Sequence, residues 1–211
     1  MRAPSLREQF EDLDKQAHAA RLGMWAFLGS ELLLFAGLFT LYAAYRIMYP
    51  VDFALAVEHD NALIGTTNTA VLITSSLTVA LSLSAVRAGR GRRAAALLVF
   101  SILCGLLFLF LKGVEYRQHF HEGIFPGAAY RFAELPTAGA GMFFSLYYLM
   151  TGLHAIHVIV GLSLLAWLAV GAWTGAFSAA RSIHVELGAL YWHLIDVVWI
   201  FLWPMLYLMH R

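Results

Sequence analysis

Five runs of apolar residues, each near the length needed to cross a bilayer, constrain this chain more than any other feature of its sequence. A helix requires ~20 residues to traverse the hydrocarbon core. The stretches Leu22–Tyr45, Ala62–Val86, Ala94–Leu111, Gly139–Trp173 and Leu187–Met209 meet or approach that length. In hydrocarbon every backbone N–H and C=O must be satisfied within the protein, so such runs are predicted to be helical. The fourth run is about 52 Å long at 1.5 Å per residue, so it tilts or protrudes. No proline or polar turn divides it, and one helix is expected. The predicted fold is an all-α membrane protein, a bundle of five transmembrane helices over residues 22–211 behind a polar tail, residues 1–21. That tail lacks the short apolar core of a cleavable signal.

Composition excludes the main alternatives. The chain is 61% hydrophobic and 13% charged, with a mean hydropathy of +0.71, which is outside the range of an ordinary soluble domain. Net charge is +1 and no long basic run occurs, so a nucleic-acid partner is not expected. The single cysteine, Cys104, excludes a disulfide framework or a CxxC metal site and reads as a small buried apolar residue. No repeat of 20 to 50 residues and no interrupted span supports a small transporter.

Lys and Arg are retained on the cytoplasmic side. With five spans, Arg2, Arg7, Lys15, Arg21, Arg87, Arg90, Arg92, Arg93 and Arg181 share one side, against Arg46, Lys112, Arg117, Arg131 and Arg211 on the other. The N-terminus is therefore expected in the cytoplasm and the C-terminus outside.

Ionisable groups in hydrocarbon are costly unless paired, neutralised or wetted, so those inside the spans are the first candidates for a role. Glu31 lies nine residues into its run, ~13 Å deep. A carboxylate there needs a donor or water, whether as an interhelical tie or as a proton-linked group. Asp196 on the fifth run is the second such acid. His154 and His157 share a helix face by their spacing, as do His193 and Asp196. These imidazoles admit three readings: polar ties between helices, haem ligation, or a metal site. The absence of any EXXH pair counts against a di-metal centre. Lys112 and Glu115 read as a snorkelling pair of solvated helix-end charges. Trp192, Asp196, Trp199 and Trp203 form one stripe of a helix, a packed interhelical or lipid-facing seam.

Taken in order on successive spans, RLGMWAFLGSELLLFAGLF (21–39), NTAVLITSSLT (68–78), GVEYRQHF (113–120), TGLHAIHVIVG (151–161) and ELGALYWHLIDVVWIFLW (186–203) resemble subunit III of the haem–copper oxidases, the cytochrome c oxidase subunit 3 family. The resemblance runs from about Arg21 to Tyr207 and looks like the short, five-helix form. It implies a multi-pass subunit of the bacterial cytoplasmic (inner) membrane with no catalytic, cofactor-binding or metal residues of its own. It would sit in a proton-pumping terminal respiratory oxidase that reduces O₂ to water. Haem and copper would reside in partner subunits. This chain would pack directly on subunit I, alongside subunit II and other oxidase subunits, stabilising the catalytic subunit and binding membrane phospholipid.

Glu31, Glu115, His154, His157, His193 and Asp196 fall on family motif positions. Glu31 and Asp196 are the proton-linked candidates; Glu115, Lys112, His154, His157, His193 and Trp192 are the lipid-facing or interhelical polar candidates. Glu rather than Asp at position 31 favours cytochrome c over quinol as the electron donor. A quinol oxidase subunit, a nitric oxide reductase accessory protein and an independent metalloenzyme using His154, His157 and His193 are the alternatives.

Overall fold

The computed structural model describes residues 11–178 and 181–209. Arg2, Arg7 and Arg211, counted above for orientation, lie outside the described residues. Among the described residues six α-helices run in the order α1 (Leu13–Met48), α2 (Pro50–His59), α3 (Ala62–Arg87), α4 (Gly91–His121), α5 (Ala138–Trp173) and α6 (Ile183–Tyr207), with a 3₁₀ turn at Gly127–Ala129. All except α2 are long and apolar enough to cross a membrane. The fourth apolar run is one helix, as its uninterrupted sequence requires.

Helix starts follow local chemistry. Asp12 accepts from Lys15 N at 2.6 Å, Asn61 from Leu63 N and Ile64 N, and Thr137 from Ala140 N, each occupying backbone donors that the first turn leaves free. Pro50 opens α2 at a position where its missing N–H costs nothing. Between α3 and α4 the chain reverses through Gly89, whose φ of 72° disfavours a side chain. On α3 the hydroxyls of Thr66, Thr67, Thr69 and Thr74 each donate to a carbonyl one turn back, which satisfies them without water.

Several boundaries differ from the sequence reading. α1 begins at Leu13, so the polar tail gives up its last turns to the first spanning helix. The connection between the first two spans contains α2. The third run continues ten residues past Leu111, to His121, because a helix that leaves hydrocarbon against protein can carry polar residues without ending. Cys104 is partly exposed on α4 rather than buried.

Helices α3 to α6 form the body of the bundle. α1 lies along it on a seam of three residues spaced seven apart, Leu28, Phe35 and Tyr42, and leaves Leu22, Trp25, Leu33 and Ile47 exposed. The core of the bundle is organised by Trp192 and Trp199 of α6, both fully buried. Trp192 fits between α4 and α5 because both helices present glycine to it. A Cβ on Gly161 would stand 2.8 Å from Trp192 Cε3, and one on Gly105 3.0 Å from Trp192 Cη2. Small residues at such crossings let backbones approach closely where apolar burial gives no drive toward association. Gly161→Ala is therefore expected to lower stability by ~1–3 kcal/mol through overpacking. Gly113→Ala, with no atom near its added Cβ, should be neutral or stabilising. Thermal unfolding in detergent ranks the two.

Candidate functional site

Two polar centres lie inside the bundle. The first is at mid-depth. Glu31 falls near the midpoint of α1 and His157 near the middle of α5. His157 Nε2 stands 2.8 Å from Glu31 Oε2, and its Nδ1 lies 2.8 Å from the Leu153 carbonyl. A carbonyl oxygen can only accept, so Nδ1 carries a hydrogen. The Nε2–Oε2 contact then shares one further proton. It is either imidazolium with carboxylate or imidazole with carboxylic acid, and both forms are neutral overall. Phe35 places its ring edge-on to His157 at 5.4 Å, and the Tyr191 hydroxyl donates to the His157 carbonyl at 3.3 Å. The acid thus finds its partner across the α1–α5 interface.

The α3–α6 interface holds the remaining mid-depth groups. Ser76 Oγ bonds His193 Nδ1 at 2.6 Å, and the buried Asp196 carboxylate faces the same hydroxyl. Trp192 Nε1 donates to Ser75 Oγ at 2.8 Å and Trp199 Nε1 to Thr69 Oγ1 at 3.0 Å. The tryptophan stripe is accordingly an interhelical seam. His154 is 0% exposed, with Phe108 edge-on at 5.5 Å and Trp199 at 5.2 Å. His154, His157 and His193 are not brought together. Among the described residues the one group of three potential ligands within reach of a common ion is Asp60, Glu115 and His119.

That group belongs to the second centre, at the end of the bundle that carries α2. Lys112 and Glu115 are not solvated helix-end charges: they are 5% and 1% exposed. Lys112 Nζ donates to Glu115 Oε2 at 2.9 Å, to Tyr147 Oη at 2.6 Å and to Tyr207 Oη at 2.7 Å. Tyr207 in turn donates to Glu115 Oε1 at 2.7 Å. Every proton of the ammonium and both carboxylate oxygens are occupied, which is what a buried ion pair requires. The continuation of α4 and the packing of α5 and α6 around it explain why the charges are inside.

His119, one turn beyond Glu115, places Nε2 3.2 Å from Oδ1 of Asp60. Burial pushes the Asp60 carboxyl up to about 6, against the opposing pull of His119. At the rim His59 Nε2 meets Glu122 Oε2 at 2.8 Å. Asp60, His119, His59, Tyr147 and Tyr207 were not singled out from sequence. The four-residue spacing of Glu115 and His119 was a usable signal once α4 is known to continue past Leu111.

At the opposite end Glu186, in the first turn of α6, accepts from Arg21 Nε at 2.7 Å and from an Arg87 guanidinium nitrogen at 2.9 Å, tying α1, α3 and α6 together.

Five helices long and apolar enough to cross a membrane, joined by polar contacts between helices, define a polytopic membrane protein. The sequence matches the family described as Cytochrome c oxidase subunit III over residues 14–210, and the chain belongs to that family. It is similar to cytochrome c oxidase subunit 3 of Salmo salar, 30% identical over 195 residues, covering 89% of this chain and 68% of the relative. It is also similar to the probable cytochrome c oxidase subunit 3 of Nocardia farcinica (strain IFM 10152), 28% identical over 186 residues, covering 88% and 86%. The corresponding Mycobacterium bovis protein is 30% identical with the same coverage. The chain is thus subunit III of a terminal oxidase, part of an oxidase complex.

Two tests follow from the geometry. Lys112→Met strands the Glu115 carboxylate in the core and should cost ~3–5 kcal/mol. The double change Lys112→Met with Glu115→Leu should recover most of that loss in a thermal melt. At mid-depth Glu31→Gln can still donate to His157 Nε2, whereas Glu31→Leu leaves that nitrogen unmet. The leucine variant should be less stable than the glutamine variant by ~1–3 kcal/mol.

Proposed function

We propose that this chain is a non-redox subunit III of a bacterial cytochrome c oxidase in the cytoplasmic membrane, packed on catalytic subunit I, which it stabilises. The observation that carries the non-redox reading is the setting of the mid-depth imidazoles. His157 is engaged by Glu31 and the Leu153 carbonyl and His193 by Ser76, while His154, whose nitrogens take no hydrogen bond, is walled in by Phe108 and Trp199. Haem ligation requires an imidazole nitrogen facing an open slot. Haem, copper and the chemistry of O₂ reduction and proton pumping then belong to the partner subunits.

The exposed apolar face of α1, with Leu22, Trp25, Leu33 and Ile47, supports contact with subunit I and with phospholipid acyl chains. The Glu31–His157 pair holds one proton in a neutral unit at mid-depth, which suits a proton-linked role beside a pumping subunit. With Lys112 withdrawn into the core, the cationic side chains on the α2 side fall further behind those on the Arg21–Arg87 side. This supports a cytoplasmic N-terminus.

Affinity purification of the tagged chain from membranes in mild detergent should bring down a haem- and copper-bearing large subunit oxidised by reduced cytochrome c. After separation, the isolated chain should show no Soret band. Stoichiometric haem on the isolated chain would overturn the reading.

A further inference from the structure

We propose that Asp60, Glu115 and His119 form a binding site for a divalent transition-metal ion of the Zn²⁺ class at the α2 end of the bundle. The proposal stands independently of the oxidase reading. It also departs from the expectation, drawn from sequence, that no residue of this chain ligates metal.

All three side chains are buried, and their ligand atoms lie within 4.8 Å of one another. Glu115 and His119 are four residues apart on α4 and so project from one face. Asp60 comes from the junction between α2 and α3. One imidazole and two carboxylates are a donor set suited to a borderline ion such as zinc, and a fourth position remains for water.

The second, independent observation is Asp60 itself. Its side chain is 0% exposed, yet neither carboxylate oxygen accepts a well-aligned hydrogen bond, and His119 Nδ1 also has no hydrogen-bond partner. A buried carboxylate normally takes several donors; this one has a single imidazole contact at 3.2 Å. That distance is close to the edge of a ligand tetrahedron, about 3.3 Å when the ion–ligand bonds are about 2.0 Å. The Asp60–His119 edge is therefore already set for an ion. Glu115, whose oxygens are held by Lys112 and Tyr207, offers the third ligand atom within 4.8 Å of the other two.

The two buried carboxylates, Asp60 and Glu115, supply the negative charge that a divalent ion calls for. On the solvent side of the cluster His59 and Glu122 pair at 27% and 44% exposure. The His59 and His119 rings are 6.3 Å apart.

The test uses the purified oxidase complex, stripped with chelator and titrated with ZnCl₂. Wild type should bind one Zn²⁺ that His119→Gln and Asp60→Asn weaken at least tenfold, while His59→Gln leaves its affinity within about twofold. Zinc-edge X-ray absorption on His119→Cys should show a new sulfur scatterer at ~2.3 Å, where wild type shows only nitrogen and oxygen at ~2.0–2.1 Å. That signature holds the proposal to account even if His119→Gln fails to assemble. Unchanged zinc affinity in assembled His119→Gln, loss of the site in His59→Gln instead, or no sulfur scattering in His119→Cys would each overturn it.

Discussion

This structure depends above all on the cost of leaving a polar group unmet in hydrocarbon, which the backbone and most of the polar side chains escape by pairing within the protein, Asn68 and His154 being exceptions. That cost acts on the backbone first, forcing the apolar runs into helices. It then acts on the few polar side chains inside them. Glu31 meets His157 across α1 and α5, His193 meets Ser76 across α6 and α3, and the two buried indoles find hydroxyls on α3. Each of these contacts also joins two helices. Specificity of packing therefore comes from the polar exceptions, while the surrounding leucines and phenylalanines supply dispersion contacts that many arrangements would satisfy.

The two polar centres differ in kind. The mid-depth centre consists of isolated pairs, each overall neutral or neutralisable, spread over two interfaces. The α2-end centre concentrates Lys112, Glu115, Asp60 and His119 with two tyrosine hydroxyls in one network. A charged network of this density is sustainable because α2, the start of α5 and the end of α6 wrap it, and because Lys112 uses all three of its protons. The thin attachment of α1, a seam of three residues plus the Glu31, Tyr42 and Arg21 contacts, suits a helix whose remaining face is covered by lipid or a neighbouring subunit.

Much of this was legible in the sequence. Hydrocarbon thickness fixes span length, so the number and order of the crossings and the undivided fourth helix could be read from residue counts alone. Glu31, His157, His193 and Asp196 were identifiable because charge and imidazole are rare in such runs. Their partners were not, since pairing between helices depends on rotation and tilt that no local pattern records. Lys112 and Glu115 were misread as solvated because hydropathy falls at Lys112, whereas the helix and its protein surroundings continue to His121. Asp60 escaped notice for the related reason that α2 folds back over the bundle from a stretch that looks like a surface connection.

The most direct measurement is a density map of the intact oxidase complex at a resolution that places side chains. The account predicts this chain against the haem-bearing subunit through its apolar face, with Glu31 and His157 in contact and no redox centre among its own helices. Haem iron or copper held by His154, His157 or His193, with Glu31 directed away from His157, would contradict it.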